Sequence, residues 1–255
     1  MPLRNNSAAP DGRLDPPSDQ GRFPATRWSV VLAVGGDGTR EAHVALEALC
    51  GRYWLPVYVK IRASGRGPQD AEDLTQDFFA RLLQGAVVEQ ARPERGRFRT
   101  FLLTALDRFL VDDWRERTAL KRGGGQVPLS IDRELGEQRF ELLGESREAP
   151  DRLFDRQWAT ELLGRTFRQL EEICRSEGRT AQFAVMRRHL AGRMEAGEYQ
   201  EIARELGVSE GAARSVMFRL RKRFRRLLRE EIAETVGDEE SVEDEIQHLF
   251  SIFSG

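Results

Sequence analysis

Cysteine and histidine are scarce in this sequence, with two Cys and three His among 255 residues. Cys50 and Cys174 lie far apart, and neither has a second Cys or a His at metal-ligand spacing, so no zinc or other metal site is expected. Each sits in an apolar helical stretch, where a free thiol packs as a small hydrophobe, the pattern of a reducing cytoplasm. His43, His189 and His248 are dispersed, with no Ser, Cys or carboxylate pair arranged around them. No glycine-rich phosphate loop follows a strand, so no catalytic residues and no cofactor are expected. Long apolar runs are missing as well, which excludes a membrane-spanning helix. The N-terminus is polar and rich in Pro and Asp, without the basic-then-apolar order of a secretory signal. The expected location is cytoplasmic. Sustained polar/apolar alternation is also lacking, and with it any sign of strands. The expected fold class is all-α.

What the sequence does have is charge, unevenly spread. Charged residues reach 32% against 40% hydrophobic, and the formal net charge is only −2. Residues 214–229 hold eight Arg or Lys and no acid, whereas residues 230–245 hold nine Asp or Glu and no base. A basic patch beside an acidic tail averages to near zero and still binds phosphate. So much charge suits two small helical domains joined by a flexible linker better than one large globule.

Residues 1–22 carry four of the ten prolines and almost no large apolar residue, a composition expected to be disordered. Phe23 to Val34 is a short apolar lead-in, and Gly35–Gly38 marks a loop. Apolar residues recur at helical spacing from Arg40 to Arg62, where Pro56 is expected to kink or split the helix. A helix is predicted over Asp70–Leu83, with Ala71, Leu74, Phe78 and Leu82 on one face and Asp73, Gln76, Asp77 and Arg81 largely outward. Another is predicted over Phe98–Lys121, striped by Phe98, Phe101, Leu102, Ala105, Leu106, Phe109, Leu110 and Trp114. Residues 123–150, with their glycines and two prolines, read as a linker, and a second helical body begins near Asp151.

Within that second body, Tyr199–Phe218 reads YQEIARELGVSEGAARSVMF. Ala203 is small where two helices would cross, Gly207 tolerates a tight turn, and Ser209 is placed to cap the second helix. Ile202, Leu206, Val208, Ala213 and Val216 fall at burying positions. The pattern is that of a helix-turn-helix, with the basic block running along its second helix. An ordinary helical hairpin with a solvated basic face is the bland alternative.

DAEDLTQDFFARLL (Asp70–Leu83) resembles the sigma region 2 helix that grips the clamp helices of the largest RNA polymerase subunit. FRTFLLTALDRFLVDDWRERTALKR (Phe98–Arg122) resembles the following helix, which opens and reads the −10 element. With a region-four-like helix-turn-helix about eighty residues further on, the order resembles the extracytoplasmic-function (ECF) group of sigma-70-type factors. FPATRWSVV, the KRGGG linker start and RLFDRQWA resemble a longer ECF-like subgroup. The resemblance implies a region 2-like domain over 23–122, a linker over 123–150, a region 4-like domain over 151–236 and an acidic extension over 237–255.

The resemblance further implies core-polymerase contacts at Asp73, Leu74, Gln76, Asp77 and Arg81, on a face that a solvated helix would also explain. It implies −10 contacts at Arg95, Arg97, Phe98, Arg99, Arg108, Arg115, Arg117 and Lys121, a basic and aromatic set suited to unpaired bases. Phe98 and Phe101 are also compatible with a packed core, which is the favoured reading of Phe101. Where ordinary ECF sequences often carry Asn, this helix has Arg108 and Asp112. The −35 duplex would meet Ser209, Glu210, Gly211, Arg214, Ser215, Arg219, Lys222 and Arg223, with Arg214 the best candidate for a base edge and Gly211 offering only backbone. Partners implied are core RNA polymerase (clamp helices, and the flap of the second-largest subunit) and promoter DNA, double- and single-stranded, with an anti-sigma protein as a candidate. The linker is too short for the additional helical region of primary sigma factors. Its three Arg against six acids suit either mimicry of nucleic acid near the polymerase active site or a plain tether.

In the tail, Val242, Ile246, Leu249, Phe250 and Phe253 form an amphipathic stripe, expected to pack on region four or to hold the basic recognition helix in check. The rival reading is a conventional helix-turn-helix regulator with an N-terminal sensing or dimerisation domain.

Overall fold

A computed structural model describes residues 26–34, 39–84, 97–119, 131–144, 148–190, 194–195 and 197–253, with the side chains at 32–34 and 116–119 outside that description. The N-terminal 1–22 segment expected to be disordered, the Gly35–Gly38 loop, and Arg95, Arg117 and Lys121 as side chains therefore lie outside the described residues. The described chain is helical: α1 (Arg27–Val34), α2 (Arg40–Ala63), α3 (Pro68–Leu83), α4 (Phe98–Ala119), α5 (Arg133–Leu142), α6 (Pro150–Ser176), α7 (Thr180–Met186), a 3₁₀ turn (Arg187–His189), α8 (Glu198–Leu206), α9 (Glu210–Ala233) and α10 (Glu239–Phe253). No strand occurs among the described residues, only one isolated bridge between Arg97 and Val236.

Helix α2 is the hub. Thr39 caps it, its hydroxyl accepting from the Ala42 amide at 3.2 Å, and α1, α3, α5 and α6 all pack around it. It runs through Pro56 as one helix, so the expected split does not occur. Proline removes one helical hydrogen bond and costs ~3 kcal/mol or more in a helix interior. Here Leu55, Val57, Tyr58 and Val59 are all buried around it, and their packing outweighs that loss. Lys60 is buried too, with Nζ 2.6 Å from Asp107 and 2.5 Å from Asp151, so one ammonium ties α2 to α4 and α6.

The two halves of the chain share one apolar core, and α6 is the reason. Its first half faces α2, with the Phe154 ring 6.4 Å from that of Tyr53 and the Trp158 indole donating to the Tyr53 hydroxyl at 3.1 Å. Its second half faces α9, with the Phe167 ring 4.7 Å from that of Phe224. Glu231 on α9 closes the joint. It is buried and accepts from Arg52 on α2 at 2.9 Å and from Arg165 and Gln169 on α6 at 3.2 and 2.6 Å.

The corner between α9 and α10 is built into the N-terminal half. The Glu234 carbonyl accepts from the Trp28 amide at 3.2 Å, and the Thr235 carbonyl from the Phe98 amide at 2.9 Å. The Thr26 hydroxyl donates to the Val236 carbonyl at 2.7 Å. Phe98 opens α4, so its amide is one of the donors a helix start leaves without an internal partner. A carbonyl from 137 residues further along the chain satisfies it.

Part of the expected linker is ordered structure. Asp132 caps α5, its carboxylate accepting from the Leu135 amide at 3.0 Å. Glu137 then accepts from Arg62 at 2.6 and 3.0 Å and from the Tyr58 hydroxyl at 2.5 Å. Gly136 lies flat on Tyr58; a Cβ there would come within 2.8 Å of the ring. Local sequence shows weak apolar periodicity in this stretch because α5 is held by polar side chains and a backbone approach.

Candidate nucleic-acid interface

Helix α3 starts at Gly67–Pro68, two residues before the expected start, since proline's fixed φ suits the first helical position and its missing N–H costs nothing there. Ala71, Leu74, Phe78 and Leu82 enter the core, which turns Asp73, Asp77 and Arg81 outward and leaves Gln76 half-buried. Asp73 and Asp77 are like charges one helical turn apart, a mildly unfavourable pair that water tolerates. Arg81 stacks its guanidinium 5.1 Å over the Phe109 ring of α4. Leu74 differs from the other members of its expected contact set. At 1% exposure it lies beneath that face in the core.

Along α4 the expected residues separate into two groups. At the N-terminal end Phe98 is fully buried, its ring 5.1 Å from Trp28 and 5.0 Å from Tyr53. In this conformation it is core, and no base can stack on it. Arg97 pairs with Asp244 of α10 and lies 3.8 Å from Glu245. Arg99 is buried. It donates to Glu245 through Nε at 3.0 Å and Nη2 at 3.1 Å, and to Asp155 of α6 at 2.7 Å. The Trp158 ring lies under its guanidinium at 5.1 Å. Burial works against its charge, but the Glu245 and Asp155 carboxylates more than offset this and hold its pKa above the ordinary arginine value. Arg97 and Arg99 thus face carboxylates, an arrangement invisible to local pattern because the partners lie 56 to 147 residues away.

The far end of α4 is more exposed than its start. Val111 and Trp114 are 48% and 61% exposed, whereas the expected stripe would have buried Trp114. The stripe stays buried through Phe109, and Asp113 beyond it pairs with Arg66 of the α2–α3 turn at 3.5 Å. Arg108 and Arg115 are exposed on this end, Arg115 lying 3.3 Å from Asp112.

Helix α8 ends at Gly207, whose φ of +64° is a left-handed conformation open to glycine at little cost. The Val208 amide reaches back to the Ala203 carbonyl at 3.0 Å, closing the helix end in a Schellman turn. The Ser209 hydroxyl accepts from the Ala212 amide at 3.2 Å and starts α9. Ile202, Ala203, Ala213 and Met217 are buried between the helices, while Val208 stays partly exposed. Gly211, Arg214, Ser215, Arg219 and Lys222 share the exposed side of α9. Arg214 is held in place, its guanidinium 2.5 Å from Glu210 and 4.3 Å over the Tyr199 ring. The Ser215 hydroxyl donates to the Gly211 carbonyl at 2.9 Å, and Arg223 pairs with Glu177 at 2.8 Å. Phe218 stands on the same side, 69% exposed, and was not among the expected contacts. Its position, four residues after Arg214 and three after Ser215, carried that information.

Helix α10 packs Val242 and Leu249 inward, against α9 and α6, and its carboxylates Glu239 and Glu243 take Arg229 of α9. Between α7, α9 and α10 lies an open groove of about 910 Å³ with Phe183, Leu220, Ile246 and Phe250 on its apolar walls and Arg219, Arg223 and Arg226 among its cations. Among the described residues no group of His, Cys, Asp or Glu is arranged to hold a metal, and no helix is long and apolar enough to cross a membrane.

Residues 49–119, from the middle of α2 to the end of α4, match the family model of sigma-70 region 2. No curated protein and no solved structure matches the chain.

Proposed function

We propose that this chain, a sigma-70 family sigma factor by its region 2, is of the extracytoplasmic-function type and reads a two-part promoter on behalf of core RNA polymerase. The observation that carries the reading is the region 2 match, which spans α3 and α4 and so covers both the acidic outward face and the helix with exposed arginines. A sigma factor acts in promoter recognition and transcription initiation; the finer assignments follow from surface chemistry.

The Asp73, Gln76, Asp77 and Arg81 face of α3 is exposed or half-exposed, polar and on a rigid helix, which suits docking on the clamp helices. Arg108 and Arg115, with the exposed Trp114 ring nearby on the same helix, supply cations and an aromatic face of the kind that holds unpaired −10 bases. Arg95, Arg117 and Lys121 join them on sequence grounds. The −35 duplex falls to α9, where Ser209, Glu210, Gly211, Arg214 and Ser215 lie at or near the helix start that a recognition helix turns to base edges, with Arg219 and Lys222 further along the same exposed side. Arg223, at the foot of the same row, serves the phosphates. The apolar groove rimmed by arginines suits an amphipathic, acid-bearing segment, and the flap of the second-largest polymerase subunit is assigned to it.

Core-polymerase pull-down tests the docking assignment. An Asp73→Arg/Asp77→Arg variant should fold as the parent does, since both side chains are exposed, and should lose core binding. Retained core binding would remove α3 from the interface. Arg214→Ala should keep core binding and weaken recognition of the −35 duplex by roughly 1–3 kcal/mol, the cost of losing a good base-edge contact.

A further inference from the structure

We propose that α10 is a built-in stand-in for the DNA backbone, its Asp244 and Glu245 carboxylates occupying Arg97, just before α4, and Arg99, in its first turn, until strand capture displaces them. The inference rests on the reading of α4 as the helix that holds the −10 strand, and it adds how that site is kept closed in the free chain.

Three observations converge. Arg99 meets Glu245 in a fork, two N–H groups on two oxygens at 3.0 and 3.1 Å, the geometry a guanidinium also offers to two phosphate oxygens. Arg97 beside it is paired to Asp244, again charge against charge. Second, α10 takes cations from both halves of the molecule, since Glu239 and Glu243 hold Arg229 of α9. A single acidic helix thereby neutralises the start of α4 and the end of the basic run on α9. Third, the Glu245–Arg99 pair is almost fully buried, and burial is a costly way to gain stability because apolar residues of similar size would serve as well or better. A charged pair that mimics the contact of the site's own ligand gives that arrangement a use. His248, also on α10, lies 3.1 Å from Asp155, the other carboxylate on Arg99, so the latch reaches α6 as well.

Tethering makes the competition effective. The carboxylates are on the same chain, so a DNA strand meets them at a high effective concentration, and only a partner that engages other parts of the surface at once outcompetes them. Core polymerase bound at α3 is such a partner. Free chain is then expected to bind single-stranded DNA poorly although it carries the residues to do so.

The test uses full-length protein and a fluorescein-labelled single-stranded 30-mer of mixed sequence, with anisotropy measured across a salt series. Asp244→Asn and Glu245→Gln are each compared with the parent, and Glu240→Gln, exposed on the same helix, serves as a charge-matched control. Expected are tighter binding by both latch variants and a salt slope steeper by about 0.7 for each additional phosphate that a released arginine neutralises. The Glu240 variant should match the parent. Adding Arg97→Gln to Asp244→Asn should abolish the tightening. Latch variants that melt as the parent does yet show its affinity and slope would overturn the proposal, and so would equal tightening by Glu240→Gln. Should Glu245→Gln fail to fold, Asp244→Asn, whose side chain is half exposed, decides alone. Initiation by parent protein with core polymerase is scored separately; its absence would strike the sigma reading of α4, whereas the latch fails on DNA binding by the free chain.

Discussion

Removing the Glu231 carboxylate should loosen the whole molecule and not just α9. The side chain is 6% exposed and accepts from Arg52 on α2 and from Arg165 and Gln169 on α6. Glu231→Ala leaves two guanidiniums and an amide in a space built for a carboxylate. Burial already pulls the Arg52 pKa below the ordinary arginine value, so its charge is poorly placed without that partner. Breaking a buried pair by removing one member costs about 3–5 kcal/mol. The arginine side chains keep 16% and 19% of their exposure and can draw in water, which puts the expected loss near the lower end, about 3 kcal/mol. At about 2–4 °C per kcal/mol for a body of this size, the melting midpoint should fall by roughly 6–12 °C in differential scanning calorimetry. The transition should stay single, because the lost contact lies at the joint of both halves. Arg52→Met/Glu231→Leu should recover only part of the loss, since Arg165 and Gln169 still lose their acceptor. A midpoint shift below about 2 °C would refute the joint, and a separate early transition of residues 198–236 would refute the shared core.

Further outcomes follow from other contacts. Gly136→Ala should drive α5 off Tyr58, read as lost hydrogen-exchange protection over residues 133–142 with α2 and α3 still protected; intact protection would contradict the close approach. The hydrogen bond from Arg62, with that from Tyr58, holds the Glu137 pKa below the ordinary glutamate value despite burial. A depressed carboxyl stabilises above its unfolded value, so α5 docking should be kept at neutral pH and be lost as pH falls below the ordinary glutamate range and through the lower folded value. Exchange or Tyr58 chemical shifts across an acid titration check this, and a loss above pH 6 would exclude Glu137 as the cause. Cys50 and Cys174 are both buried, and burial pushes both thiols up, so alkylation by iodoacetamide should go no faster than unfolding. Phe218→Ala should leave stability within about 0.5 kcal/mol, as for an exposed side chain, and lower affinity for the −35 duplex in a mobility-shift titration; unchanged affinity would mean that the ring does not reach DNA.

What was legible in the sequence was what a helix reports locally. Asp70–Leu83 carries apolar residues at i, i+3, i+4 spacing, so both its helical state and the outward set of Asp73, Asp77 and Arg81 could be read from pattern alone. Gly207 and Ser209 announced a turn and a cap for the same reason, as their backbone needs are local. Contacts made across the chain have no such signature. Nothing around Arg99 hints at Glu245, and nothing around Phe98 says that Trp28 and Tyr53 will enclose it. Pro56 argued for a broken helix by local rule, and tertiary packing overrode it. The amphipathic tail was visible, and the packing of Val242 and Leu249 on α9 and α6 lay within expectation, but Phe250 and Phe253 stay 62% and 55% exposed and the hold on α4 was not foreseen. Trp114 misled because periodicity tells which side of a helix is apolar, not how far along it the burial extends.

Initiation itself is the most direct test of the central claim. Core RNA polymerase freed of other sigma factors, supplied with the full chain and fragmented genomic DNA of its source, should produce discrete transcripts whose start sites share a common upstream two-part sequence. Core enzyme alone should not produce them, and the Asp73→Arg/Asp77→Arg variant should abolish them. A chain that binds DNA yet leaves core enzyme unable to initiate, while modulating transcription by a holoenzyme that contains another sigma factor, would contradict the claim and identify a conventional regulator.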